Sequence, residues 1–237
     1  MEPAPAADLR STWALVPLRG LEDAKTRLGA ELDPEERLEL VVAMATRTLA
    51  ATRDARGIVG TVLVTADPAA ADLAATFGAR TIVQRLPGLN AALREARTVA
   101  GALGATAVLV LPIDLPAVSR DALERLLADA EDAAVTGQAG RPLVLAVPDR
   151  HGRGTNALLV SPPAAIEPAF GEDSLRAHTV AAAAAGATFR RHEGRLTLDV
   201  DTGADLLVAE AAAGGPGAAG GRGAAGGQGA AGGRDAA

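Results

Sequence analysis

The sequence predicts an α/β fold, a mostly parallel mixed sheet with helices on both faces, and three observations carry that prediction. Continuous runs of buried-type residues such as Val108-Leu109-Val110-Leu111 read as strands covered on both sides. Between such runs lie stretches with apolar residues at helical spacing, opened by capping residues. The patterned region, Thr12 to Glu210, is about 200 residues long, enough to bury one sizeable core.

Taken in order, Thr12 to Leu18 reads as the first strand, followed by a polar loop from Arg19 to Arg27 that carries Arg19, Lys25 and Arg27. Asp33-Pro34-Glu35-Glu36 opens a helix with an N-cap aspartate, proline at the first position and glutamate three residues after the cap. Leu38, Val41, Val42, Ala45 and Leu49 then mark its buried face. Thr61 to Thr65 is the second strand, Asp67-Pro68 starts a helix to Phe77, and Gly78 ends it. Thr81-Ile82-Val83 is the third strand. It leads through Pro87-Gly88-Leu89-Asn90 into a helix to about Leu103. The central strand comes next, ending in Pro112-Ile113-Asp114-Leu115-Pro116, then a helix from Ser119 to Ala130. Residues 142–147 and 156–160 read as strands around the donor-rich loop from Asp149 to Asn156. A helix from Leu175 to Ala185 follows, N-capped by Ser174 and closed by Gly186. Residues 187–192 and 195–200 read as the last strands, with Thr202 and Asp205 capping a terminal helix.

The domain is thus expected over residues 12–210, with a loose Pro/Ala-rich N-terminus over 1–11. From 211 to 237 the sequence repeats Ala-Ala-Gly-Gly blocks without apolar periodicity, the composition of a disordered tail. No apolar run has the length of a signal peptide or a membrane span. Cysteine is absent, which removes disulfides, thiolate nucleophiles and thiolate metal sites and makes the cytoplasm the default compartment. A net charge of −6 and 2% aromatic residues argue against a nucleic-acid groove, which needs a basic face and stacking rings. A small-molecule substrate is expected, with no nucleic acid and no membrane.

Several residues stand out chemically. Asp114 follows the central strand at the edge where α/β sheets gather ligands, although closing a turn before the next helix would also explain it. Among 23 Lys+Arg residues Lys25 is the single lysine. Phosphate pockets distinguish a compact point charge from a broad guanidinium fork, yet a solvated loop would read the same way. Gly88 and Asn90 suit a nucleobase or ribose edge, or a plain helix start. The loop around Thr155 offers an anion cradle or a hairpin tip. Ser174 opens a helix after a glycine, and capping alone would account for it. If residues 198–202 are extended, Asp199 and Asp201 share one face about 7 Å apart and repel by roughly 2 kcal/mol at an effective dielectric near 20. A divalent cation would relieve that cost. A carboxylate donor set with few other candidates points to magnesium.

In their order these pieces resemble the guanylyltransferase family that makes the nucleotide-activated lactyl or enolpyruvyl precursor of the deazaflavin coenzyme F-420. The matching stretches are Val16-Pro17-Leu18-Arg19 with Ala24-Lys25-Thr26-Arg27-Leu28, Gly88-Leu89-Asn90, residues 112–116, Gly154-Thr155-Asn156, Phe170-Gly171-Glu172-Asp173-Ser174 with His178, and residues 198–202. Arg19, Ile113 and Glu172-Asp173 depart from the family's usual lysine, alanine and Pro-Gly. The resemblance implies a three-layer nucleotidyltransferase fold, GT-A-like and Rossmann-like, and magnesium-dependent transfer of GMP from GTP to phosphoenolpyruvate or 2-phospho-L-lactate. Lys25 and Asp114 become the catalytic candidates, and Asp114, Asp199 and Asp201 the metal ligands. Thr155, Gly171 and Ser174 would bind the acid, while by position Arg19, Lys25, Arg27, Gly88 and Asn90 would bind the nucleotide. A downstream transferase that accepts the product is a further implied partner. The alternatives are another nucleotidyltransferase of the same fold, acting on molybdopterin, a sugar phosphate or a terpenoid phosphate, and a non-catalytic nucleotide-binding module.

Overall fold

The computed structural model describes residues 6–21, 25, 28, 29, 31–138, 140–200 and 205. Strand β1 (Thr12–Pro17) lies between β2 (Ile58–Thr65) and β4 (Ala107–Val110), parallel to both, and β3 (Arg80–Val83) extends the parallel set on the far side of β2. β5 (Leu143–Pro148) and β6 (Thr155–Ser161) form an antiparallel hairpin. β6 inserts antiparallel beside β4, and β7 (Thr188–Arg191) pairs parallel with β5. The result is a seven-stranded mixed sheet of order β3-β2-β1-β4-β6-β5-β7.

Because side chains alternate across a strand, neighbouring residues serve opposite layers. On one face Val16, Leu63, Leu109, Leu145 and Leu159 pack against α1 (Pro34–Asp54), α2 (Pro68–Thr76) and α4 (Arg120–Thr136). On the other, Leu15, Val62, Val108, Val110, Val144 and Val160 meet α3 (Leu89–Ala102) and α5 (Ser174–Ala184). Three layers follow from that alternation. Asp33 caps α1 with a full capping box, its side chain accepting from Glu35 and Glu36 N–H while the Glu36 carboxylate accepts from Asp33 N–H. Among the described residues no helix is long and apolar enough to cross a membrane.

The topology decides where a site can form. β1 and β4 are parallel and end at the same edge, and β6, running the other way, begins there, since Val110 pairs with Leu158 and Thr155 lies beyond it. The ends of two strands and the start of a third thereby share one rim, the place where parallel sheets leave a crevice for ligands.

Four expectations differ from the structure. Residues 195–200 are not a strand: Arg195–Thr197 form a 3-10 turn, and only the following residues extend, because burial of Leu196 and the Asn156 Nδ2 bond to its carbonyl turn the chain back over β6. Ser174 does not cap α5 but is its first residue. The cap position belongs to Asp173, whose backbone is left-handed (φ 52) and whose side chain makes no capping bond. α4 runs on to Thr136, past Ala130, because Ala130 and Ala133 continue its buried face. Residues 7–11, placed in the loose N-terminus, are tied down: Ala7 N–H donates to the Arg141 carbonyl, and Asp8 N–H to Ser161 Oγ at 2.8 Å. The tail from 211 onward lies outside the described residues.

Leu109 is fully buried between the sheet and α4, whereas Val135 of α4 is 84% exposed. Leu109→Ala is expected to lower the unfolding free energy by about 2–5 kcal/mol and Val135→Ala by less than about 0.5 kcal/mol in urea denaturation.

Candidate active site

The rim opens into a cavity of about 390 Å³. Its floor is the turn after β4. Leu111, Ile113 and Leu115 point inward and are buried, and the flanking prolines cannot continue a sheet ladder, so Asp114 is left facing the cavity with its side chain 25% exposed. Arg47 of α1 braces the turn from behind by donating to the Pro116 carbonyl.

Above Asp114 sits Lys25, its Nζ 2.9 Å from Asp114 Oδ2 and its side chain only 9% exposed. Lys25 takes a left-handed backbone (φ 56), a conformation that costs a non-glycine residue roughly 1–3 kcal/mol and persists only where the surroundings impose it. Here the imposition comes from buried Leu28, whose N–H donates to the Lys25 carbonyl. The loop leaving β1 is also fastened at Leu21, whose N–H donates to Asp67 Oδ2 at 2.8 Å. That bond holds the Asp67 carboxyl below the usual aspartate range and keeps Arg19 on the cavity wall.

Asp199 reaches the same cavity from the C-terminal segment. Val200 is buried against the core that contains Val16 and Ile113, and its N–H donates to the Asp114 carbonyl at 3.0 Å. One backbone bond therefore places the two carboxylate-bearing residues side by side. Asp201, the third expected metal ligand, and Arg27, the third expected cation, lie outside the described residues. Among the described residues no group of three His, Cys, Asp or Glu side chains is arranged to hold a metal.

The rest of the lining comes from the loop joining β5 to β6 and from the start of α5. The loop joining β5 to β6 is held by Asp149, whose Oδ1 accepts from His151 and Arg153 N–H. A Cβ on Gly154 would meet Asp149 Oδ2 at 2.7 Å, so any side chain there would displace the Asp149 carboxylate from its bonds. The expected alternatives of cradle and hairpin tip thus merge in a tightly bonded turn that presents Gly154 and Thr155 to the cavity. Gly171 has φ 137, open to glycine alone without strain, and it delivers the chain to the N-terminus of α5, where Ser174 is 2% exposed and faces the cavity. Helix N-termini favour negative charge.

Thr155, Gly171 and Ser174 are therefore brought to one cavity with Lys25, Arg19, Asp114 and Asp199, and Gly88 joins them with Gln84 and Leu89. Asn90 does not join them. Its Nδ2 donates to the Phe170 carbonyl and its Oδ1 accepts from Phe170 N–H, both at 2.9 Å, so its amide is consumed in pinning Phe170 rather than facing a nucleoside. The sequence did not single out Gln84, Ala92 or Asp149 as lining residues, and it gave His178 no role. Four residues after Ser174, His178 lies on the same helix face; that spacing was the available signal. It is fully buried, with Nδ1 3.0 Å from Thr155 Oγ1 and Nε2 3.0 Å from Ala169 N.

Architecture and site together define a nucleotidyltransferase-type α/β protein. Solved structures with this arrangement include CMP:2-keto-3-deoxy-manno-octonic acid synthetase complexed with CTP (TM-score 0.55, 16% identity, covering 86% of this chain and 98% of that one). Another is 4-diphosphocytidyl-2C-methyl-D-erythritol synthase (TM-score 0.53, 18% identity, 84% and 96%). Residues 12–215 match the family model described as "Guanylyl transferase CofC like", and the chain belongs to that family of nucleotidyltransferases. A phosphoenolpyruvate guanylyltransferase of Sphaerobacter thermophilus is 40% identical over 198 residues, covering 83% of this chain and 91% of that protein. One of Rubrobacter xylanophilus is 40% identical over 206 residues, covering 86% and 96%.

Burial holds the His178 pKa down at about 4 from an ordinary 6.5. Below pH 6.5 the unfolded chain takes up a proton that the folded chain refuses, so stability falls as pH drops from about 6.5 toward 4 and is fully present above that window. At about 1.4 kcal/mol per pKa unit the full loss is roughly 3–4 kcal/mol. Asp8 and Glu124, held near 2 by Arg10 and Arg120, give up their contributions at lower pH. Urea melts at pH 7 and pH 4.5 are expected to show a larger loss for the wild type than for His178→Asn, and equal losses would contradict this assignment.

Proposed function

We propose that this enzyme transfers GMP from GTP to the phosphate of phosphoenolpyruvate, giving enolpyruvoyl-2-diphospho-5'-guanosine and pyrophosphate in the cytoplasm. 2-Phospho-L-lactate is the nearest alternative acceptor. The observation that carries the reading is that one cavity is lined by Lys25, Arg19, Asp114 and Asp199 together with Gly154, Thr155, Gly171 and Ser174. The names of the 40% identical relatives support the identity of acceptor and nucleotide.

A phosphate oxygen of the acid attacks the α-phosphorus of GTP, a new P–O bond forms, and the bond to the β-phosphate breaks as pyrophosphate departs. The attacking phosphate is already ionised at neutral pH, so no general base is required; the work is alignment and neutralisation of charge. Lys25 and Arg19 supply positive charge against the triphosphate. Thr155, Ser174 and the start of α5 orient the acid on the opposite side. Lys25 is held by Asp114 at 2.9 Å, and its compact ammonium can turn toward a phosphate oxygen without leaving the carboxylate. Gln84, Gly88 and Leu89 line the part of the cavity left for the nucleoside.

The donor set fits magnesium. Two carboxylates without histidine or thiolate suit an ion that keeps several waters and shares phosphate oxygens. Asp114 and Asp199 would hold it, with Asp201 as the further ligand implied by the family resemblance. When bound it neutralises phosphate oxygens and fixes their geometry.

Purified protein with GTP, magnesium and phosphoenolpyruvate is expected to release pyrophosphate, with 2-phospholactate and 3-phosphoglycerate run in parallel to rank the acceptors. Asp114→Asn is expected to lower kcat at least about 100-fold. Turnover with CTP or ATP but not GTP, or wild-type rates in Asp114→Asn, would overturn the reading.

A further inference from the structure

We propose that His178 is a positioning residue that turns the hydroxyl proton of Thr155 into the cavity, making Thr155 an obligate donor to an anionic oxygen of the phosphorylated acid. The identity of the ligand rests on the function proposed above; the direction of the hydroxyl does not.

Ala169 N lies 3.0 Å from His178 Nε2, and a backbone amide can only donate, so Nε2 must present its lone pair. A neutral imidazole carries one proton, which then resides on Nδ1. Nδ1 is 3.0 Å from Thr155 Oγ1, so that hydroxyl receives a hydrogen bond through one of its lone pairs and its own proton must go elsewhere. Among the described residues Oγ1 has no second partner, and the direction left is the cavity that Thr155 lines. In the opposite tautomer Thr155 would give its proton to Nδ1 and show an anion only lone pairs. Full burial keeps His178 in the neutral form that this arrangement needs.

The tautomer is itself locked from outside. The Phe170 ring stands edge-on to the imidazole, 5.0 Å between centroids at 69°, and Asn90 clamps Phe170 through both its N–H and its carbonyl. The segment carrying Ala169 N–H is thereby tied to α3 one residue away, and the orientation passes from Asn90 through Phe170 and Ala169 to His178 and on to Thr155.

Two substitutions separate the nitrogens: glutamine places its amide near Nε2, asparagine near Nδ1. Nitrogen-15 correlation spectra of the wild-type protein at pH 7 are expected to show His178 protonated on Nδ1. His178→Gln and Thr155→Val are expected to raise KM for phosphoenolpyruvate about tenfold, leaving KM for GTP within about twofold, and His178→Asn to restore most of the loss. An Nε2-protonated ring, equal losses in the glutamine and asparagine variants, or equal shifts in both KM values would overturn the inference. Should the wild type not use phosphoenolpyruvate at all, the proposed function fails while the spectrum still decides the direction of the hydroxyl.

Discussion

A single backbone hydrogen bond, from Val200 N–H to the carbonyl of Asp114, is what the site depends on. It joins a turn at the end of the central strand to a segment more than eighty residues later in the chain, and by doing so sets two carboxylates against one cavity. Like charges brought together repel, and the fold accepts that cost because Val200 and Ile113 are buried beside the bond. The Lys25 ammonium against Asp114 offsets part of it. The strained backbone of Lys25 is the visible cost of bringing that charge in from a loop.

The protein carries a net charge of −6, yet it belongs to a family whose reaction joins two anions. The cavity sets Lys25 and Arg19 among the carboxylates Asp114 and Asp199, and the start of α5 with buried Thr155 and Ser174 adds uncharged donors. Elsewhere arginines are paired with acids, as Arg153 is with Asp173, Arg120 with Glu124 and Arg97 with Glu167. Concentration of unlike charge at one sheet edge, not the overall balance, governs what such a protein can bind.

Much of this was legible in the sequence. The apolar run ending at Asp114, the Asp33 capping box and the alternation of strands with helices led to the observed layers, because each depends on local spacing that burial then reinforces. The grouping of Lys25, Thr155, Gly171 and Ser174 was implied by the resemblance of their stretches to the guanylyltransferase family, and one cavity holds all four. What the sequence hid were contacts made across long separations. Asn90 reads as a polar group beside a glycine, and nothing local says that Phe170 will consume both ends of its amide. Residues 195–200 alternate like a strand, but the donor that bends them is Asn156, forty residues earlier. His178 reads as one helix residue among alanines; its meaning lies in an amide and a hydroxyl from two other segments.

Under the proposed function, Asp114 and Asp199 would together hold one divalent ion at the triphosphate. Crystals grown with manganese and a GTP analogue whose α,β-bridge resists cleavage would test it most directly through the anomalous signal of the metal. The peak is expected in contact with carboxylate oxygens of both residues and with the triphosphate. A peak bound to the nucleotide alone, or to either aspartate without the other, would contradict it.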